Sequence, residues 1–307
     1  MNVLPIAPEN LAPADVSPEL RRALRGEVVE TVWTDWFGTC IALGFDDALS
    51  AESYRRRYAR LATERPADVR AYALRHESRT LFWVEGGPAY QWREALGDPL
   101  AIEFLADCVV RHLYFMELSP HLSFHAAALS VAGGAFAVTA ASEGGKTTTA
   151  LACARRGMPL YSDERCVLDG EHVLPFPRAL NVRAAALDLI AADRVLADGG
   201  IGERLRCRRG ADWNGADFAE LFGDARLPPP QPLRTIFFIT GRGAEPAVTP
   251  MTLREALPAL LAVPLRGRSR GVERVADATR LLAHAKAYAL TLGSPDATAC
   301  LLRETAE

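Results

Sequence analysis

Lysine is almost missing from this chain. Its 35 basic residues include only two lysines, Lys146 and Lys286. The six cysteines (Cys40, Cys108, Cys153, Cys166, Cys207, Cys300) are scattered and form no C-x-x-C pair. That excludes the usual zinc spacing, argues against a disulfide framework, and suits a reducing cytoplasm. No run of about 18 apolar residues, the length a membrane-crossing helix needs, is present, and no secretory signal is apparent. Neither sign of charge dominates: a formal net charge of −3 provides no global reason to expect nucleic acid or a membrane as partner. Internal repeats and low-complexity tracts are also lacking. What remains is a globular composition, 49% hydrophobic and 24% charged. At 307 residues the chain can bury one large core or two smaller ones.

Punctuation along the chain suggests three parts. Residues 1–25, rich in proline and polar residues, read as a flexible arm. Residues 26–98 read as a small α+β domain, with strands near 27–33, 39–45 and 80–84, a charged helix near 51–63 and a turn at Gly86-Gly87-Pro88. Residues 99–307 form the larger part. It opens on a helix over 99–118, whose apolar residues Ile102, Leu105, Val109, Leu113 and Met116 recur at helical spacing. Strands over 126–130 and 135–139 turn around Gly133-Gly134, and a loop over 140–145 leads into a helix over 146–156. Arg155 and Arg156 in the last turn, then Gly157, suit the helix dipole and the C-cap. A short strand over 160–162 and a hairpin turning at Asp169-Gly170 follow. Beyond them come a helix over 184–196 and an irregular basic stretch with Arg204, Arg206, Arg208 and Arg209. A strand over 235–240, a helix over 253–261 and a second basic loop with Arg266, Arg268 and Arg270 come next. A helix over 275–284, a strand over 287–292 and a helix from Pro295 close the chain.

The chemistry concentrates in residues 138–164. Gly145-Lys146-Thr147 ends a stretch resembling a phosphate-binding loop, G-x-x-x-x-G-K-[ST], between a strand and a capped helix. One of the chain's two lysines therefore stands where such a loop requires one. Backbone N–H groups of Gly144 and Gly145, with Ser142, would cradle phosphate oxygens at the helix N-terminus. Lys146 would reach the β/γ-phosphates, and Thr147 and Thr148 open the helix beside them, Thr147 as a Mg²⁺ ligand. Two positions depart from the pattern: Ala140 replaces the first glycine, and Glu143 lies inside the loop. A carboxylate there would repel a triphosphate, so Glu143 is expected to turn outward or to meet Mg²⁺ or a basic group. The plain alternative is a structural strand–turn–helix.

Asp163 and Glu164 arrive straight after one helix and one short strand. They read either as a solvated turn or as a base and a metal ligand for phosphoryl transfer. His125, one hairpin before the loop, is either a structural histidine or a neighbour that tunes Asp163. Arg178 and Arg183 are either solvated or supply guanidinium groups to phosphate oxygens. Trp213 and the aromatics of the N-terminal part suit core or interface better than a base-stacking platform.

From His125 through A-A-S-E-G-G-K-T, Arg155-Arg156-Gly157 and Ser162-Asp163-Glu164 to the segment L-P-F-P-R-A-L-N-V-R, the chain resembles the HPr kinase/phosphorylase family. The likeness is closer still to the HPr-kinase-like proteins of peptide-tailoring clusters, lasso-peptide kinases among them. It covers roughly residues 125–183. It implies the P-loop-containing mixed α/β nucleotide-binding fold shared by HPr kinase and phosphoenolpyruvate carboxykinase, here preceded by a smaller α+β domain. It further implies an ATP- and Mg²⁺-dependent serine kinase. Lys146 would bind phosphate, Thr147 and Glu164 Mg²⁺, and Asp163 would act as base with His125 beside it. The acceptor would be a peptide or small protein other than HPr, and homo-oligomers are expected from the resemblance alone. A small-molecule kinase and a non-catalytic nucleotide- or peptide-binding partner are the rival readings.

Overall fold

A computed structural model describes residues 12–77, 79–92, 101–141, 144–183, 213–216, 227–263, 265–266 and 272–307. The chain divides into two units, Met1–Leu113 and Tyr114–Glu307.

The first unit is a six-stranded sheet, β1 (Ala12–Pro13), β2 (Glu30–Trp36), β3 (Thr39–Phe45), β4 (Val69–His76), β5 (Arg79–Val84) and β6 (Ala89–Trp92), in the order β1-β6-β5-β4-β3-β2. All neighbours are antiparallel except β3 and β4, which a crossover connects in parallel. The β2–β3 turn places Phe37 and Gly38 at φ 52 and 91, the positive values that a tight two-residue hairpin needs. Asp35 fixes it by accepting from the Gly38 N–H at 2.7 Å.

Helix α1 (Pro18–Arg25) starts with proline at N1 and a Ser17 side chain that accepts from the Leu20 N–H. Its Leu24 joins Val16, Leu74, Leu81 and Trp83 in a buried cluster. Residues 12–25 are thus ordered, not the flexible arm expected from composition; residues 1–11 lie outside the described residues. Helices α2 (Ala48–Arg57) and α3 (Ala101–Leu113) complete this unit. Tyr58, just past α2, donates to buried Asp107 of α3, which also pairs with Arg111 at 2.9 Å. The helix expected over 99–118 therefore belongs with the first unit as far as Leu113, and the division falls after it, not at residue 98.

The second unit opens on a π-helical turn, Tyr114–Leu118. Strands β7 (Leu122–Phe124), β8 (Ala127–Val131) and β9 (Gly134–Thr139) follow, then helix α4 (Lys146–Arg155) and β10 (Leu160–Ser162). Next come β11 (Cys166–Asp169), β12 (His172–Leu174), β13 (Leu180–Arg183), β14 (Trp213–Ala216), β15 (Gln231–Arg242) and β16 (Ala247–Pro250). Helix α5 (Leu253–Ala262), β17 (Leu265–Arg266), α6 (Val272–His284), β18 (Lys286–Leu292) and α7 (Pro295–Ala306) end the chain.

Strands β8 and β9 are buried at every position, and their period of two separates two cores. Leu129, Phe136 and Val138 face Leu151, Ala299 and Leu302 of α4 and α7. Ala128, Ala135 and Ala137 face Ala256, Leu260, Ala278 and Leu281 of α5 and α6. The result is a sheet with helices on both faces.

Strand β15 runs parallel to both β9 and β18. Strand β8 is antiparallel to both β9 and β10, so β10 runs the same way as β9. The carboxyl ends of β10, β9, β15 and β18 therefore share one edge of the sheet, where α/β folds bind ligands. The first residues of β15 also pair with β12, which joins β11, β7 and β17 to the same sheet. Among the described residues, no helix is long and apolar enough to cross a membrane.

Candidate active site

The loop between β9 and α4 is held by its glycines and its lysine. Gly145 caps α4 in the left-handed region at φ 101, a conformation that glycine adopts without steric cost. A Cβ on Gly144 would stand 2.5 Å from the Cβ of Ala140 and 3.0 Å from the Ala141 carbonyl. Ala140 thus fills the space left open by Gly144, and the replaced first glycine is accommodated. Lys146 is buried, and its Nζ donates to the carbonyls of Ala140 at 3.0 Å and Ala141 at 3.3 Å. Thr147 and Thr148 are half-buried in the first turn of α4. The N-terminus of α4 and the ammonium bring positive charge together at this loop. Ser142 and Glu143 lie outside the described residues.

Strand β10 delivers the acidic pair to the same edge. Ser162 Oγ accepts from the N–H groups of Glu164 at 3.2 Å and Arg165 at 3.1 Å, shaping the turn after the strand. Asp163 is only 3% exposed. Burial pushes its carboxyl up to about 7, the Glu164 charge adds to the rise, and Arg178 and then Lys146 pull against it. Its Oδ1 is buried with no hydrogen-bond partner among the described residues.

Glu164 takes a different position. Its Oε1 lies 3.7 Å from His125 Nδ1 and its Oε2 lies 3.8 Å from Arg178 Nη1. His125 Nδ1 is also 2.9 Å from the Glu164 backbone carbonyl. A carbonyl can only accept, so Nδ1 carries the proton and Nε2 is left as the acceptor. Burial pushes the imidazole down to about 4, with Glu164 acting against the fall and Lys146 and Arg165 adding to it. At neutral pH the ring is uncharged. The structure sets His125 against Glu164, the residue next to Asp163. Thr139, the last residue of β9, donates to the His125 carbonyl at 2.9 Å and ties this histidine to the strand that enters the loop before α4.

Arg178 is buried and directed at the acidic pair. The backbone of Arg183 pairs with Trp213 across β13 and β14; neither side chain is among those described. The helix expected over 184–196, the cluster Arg204, Arg206, Arg208 and Arg209, and Arg268 and Arg270 lie outside the described residues. Of Arg266 only the strand backbone is described.

Two residues of this edge escape a sequence reading. Arg165 is buried, donates to Ser123 Oγ at 3.3 Å and places its guanidinium 4.7 Å from the Phe115 ring centroid. Its only sequence signal is adjacency to the acidic pair. Arg242 ends β15 beside Gly145, and nothing in its sequence neighbourhood announces it.

Among the described residues, no group of three or more His, Cys, Asp or Glu could enclose a metal. Mg²⁺ does not require one, because it commonly takes one or two protein ligands and completes its shell with phosphate oxygens and water. Thr147, Glu164 and the unpartnered Asp163 Oδ1 supply hard oxygen donors of the kind Mg²⁺ takes.

No family model and no curated protein matches the chain. A solved structure similar to it is that of the Hpr(Ser) kinase/phosphatase from Coxiella burnetii, at 12% identity and a TM-score of 0.32, covering 60% of this chain and 95% of that one.

Proposed function

We propose that this protein is an ATP- and Mg²⁺-dependent phosphotransferase that phosphorylates a hydroxyl, with a serine of a peptide or small protein as acceptor. One observation carries the reading: a buried carboxyl, Asp163, with its Oδ1 unpartnered among the described residues and its pKa raised to about 7, at the sheet edge that also carries Lys146 and the N-terminus of α4. A general base works best when its pKa lies near the working pH. A phosphate cradle beside such a base is the pairing that phosphoryl transfer uses.

In this reading the Gly145 amide and Lys146 bind the phosphates, while the Gly144 N–H, which donates to the Ala141 carbonyl at 3.1 Å, shapes the loop. Lys146 exchanges its two loop carbonyls for phosphate oxygens. Mg²⁺ held by Thr147 and Glu164 would neutralise phosphate charge. Asp163 accepts the hydroxyl proton as the acceptor oxygen bonds to the γ-phosphorus and ADP departs. His125 and Arg178 position Glu164. The serine and peptide specificity rests on the family resemblance of residues 125–183 and on the basic loops of the sequence.

The test is incubation with Mg²⁺, γ-labelled ATP and an arrayed library of serine-containing peptides. Labelled peptide is expected, Asp163→Asn should abolish labelling, and Lys146→Ala should weaken ATP binding. Full transfer by Asp163→Asn would remove the base assignment. Labelling of a metabolite extract without any peptide would make the acceptor a small molecule. Peptide binding with no ATP binding would make the protein a non-catalytic partner.

A further inference from the structure

Arg242 stands at the carboxyl end of β15, the parallel neighbour of the strand that enters the phosphate loop. Its Nη2 lies 3.0 Å, and its Cζ 3.8 Å, from the point that a Cβ on Gly145 would occupy. Leu292 Cδ1, at the end of β18, lies 2.9 Å from that point and walls the other side. The guanidinium is therefore packed against the residue that caps α4. The backbone permits this approach because position 145 has no side chain. Arg242 is nevertheless exposed, and no hydrogen bond or ion pair engages it among the described residues. Arg156, on the same helix–loop unit, is by contrast held by Asp296 at 2.5 Å. An exposed arginine against a helix N-terminus adds positive charge where positive charge already converges.

The strand order fixes which part of a ligand it meets. β10 with Asp163 lies beyond β8 on one side of β9, whereas β15 with Arg242 flanks β9 on the other. The phosphoryl group to be transferred must lie on the Asp163 side. We infer that Arg242 binds the phosphate oxygens that stay with the nucleotide, as a bidentate anchor on the flank of the loop opposite the base. This inference rests on the phosphoryl-transfer reading and adds to it a residue with a defined, non-chemical part. An anchor that grips ATP and ADP alike contributes uniform binding: it lowers KM and leaves kcat alone.

Calorimetric titration of the full chain with ATP and with ADP, both with Mg²⁺, tests it. Arg242→Ala should weaken both nucleotides by the same factor, about tenfold or more, the loss expected for a hydrogen bond to a charged group. Arg242→Lys, which keeps the charge but not the fork, should fall between. Arg254→Ala on α5, an exposed arginine away from the loop, controls for net charge and should bind as the parent does. In turnover assays Arg242→Ala should raise KM and retain kcat. Unchanged affinities in Arg242→Ala, with the parent protein binding normally, would overturn the anchor and leave the kinase reading standing. A collapse of kcat with affinities intact would also overturn it, since the arginine would then serve the transferring phosphate. A parent protein that binds neither nucleotide would remove both.

Discussion

The methyl group of Ala140 and the bare Cα of Gly144 close the loop between β9 and α4 on each other: a Cβ added at Gly144 would come within 2.5 Å of Ala140 Cβ. Position 140 is where the usual pattern has its first glycine, so one side chain is already present in the loop and a second has no room.

Gly144→Ala should therefore destabilise the loop by about 1–3 kcal/mol, the usual range for overpacking, and weaken ATP binding. Ala140→Gly should be tolerated. The double variant should recover much of the lost nucleotide affinity, held short of full recovery by the Ala141 carbonyl 3.0 Å away. Thermal unfolding and ATP titration of the three variants measure this. An additive double variant would show that the two positions do not meet.

Asp163 should leave a signature in the dependence of stability on pH. Its carboxyl titrates near 3.8 in the ordinary state and at about 7 when buried here. Between those values the folded state holds a proton that the unfolded state has released. Stability therefore falls as pH rises through that window, because the unfolded state binds fewer protons. Asp163→Asn removes this slope. The variant should gain on the parent as pH rises from 4 to 8, by an amount on the order of a few kcal/mol, while transfer is lost. Parallel stability curves for the two proteins would show that Asp163 is ionised without cost.

His125 should behave in the opposite sense. Its folded pKa of about 4 lies below the ordinary 6.5, so the unfolded state takes up a proton first as pH falls. Its contribution to stability is present above about 6.5 and is lost as pH falls toward 4. Imidazole nitrogen shifts measured by NMR should show a neutral ring protonated on Nδ1 across pH 8 to 5. Titration near 6.5 would mean that the ring is solvated and not lodged against the Glu164 carbonyl.

The middle of the second unit is the part most legible in the sequence, for local reasons. The strand expected over 160–162 coincides with β10, and the helix expected over 146–156 ends one residue later than α4. Glycines at φ 84, 101 and 79 (Gly133, Gly145 and Gly157) punctuate that stretch, and glycine is the residue that reads most clearly as punctuation. Strand β15 is longer than the expected 235–240 because both its ends are made by distant partners: Pro232 pairs with His172 and Arg242 with Leu292. No local pattern encodes those pairings, so Arg242 was not legible as a neighbour of Gly145. The contact between His125 and Glu164 has no signature in the sequence, because part of it is made to a backbone carbonyl. Helix α1 leaves little periodicity to read, because Leu24 is its single buried residue.

Glu164 and Arg178 act on Asp163 with opposite signs. The Glu164 charge raises the Asp163 carboxyl, and the Arg178 guanidinium lowers it. If Asp163 is the base, turnover requires it ionised, so the acid limb of the pH–rate profile follows its pKa. Arg178→Met removes the lowering charge and should move that limb to higher pH. Glu164→Gln removes the raising charge and should move it to lower pH, with Mg²⁺ saturating so that metal affinity does not mask the shift. A purely structural role for either residue would lower the rate at every pH without moving the limb. The decisive measurement is kcat/KM for phosphate transfer from pH 5.5 to 8.5 in both variants. Shifts in the same direction, or none, would place Asp163 outside the proton transfer.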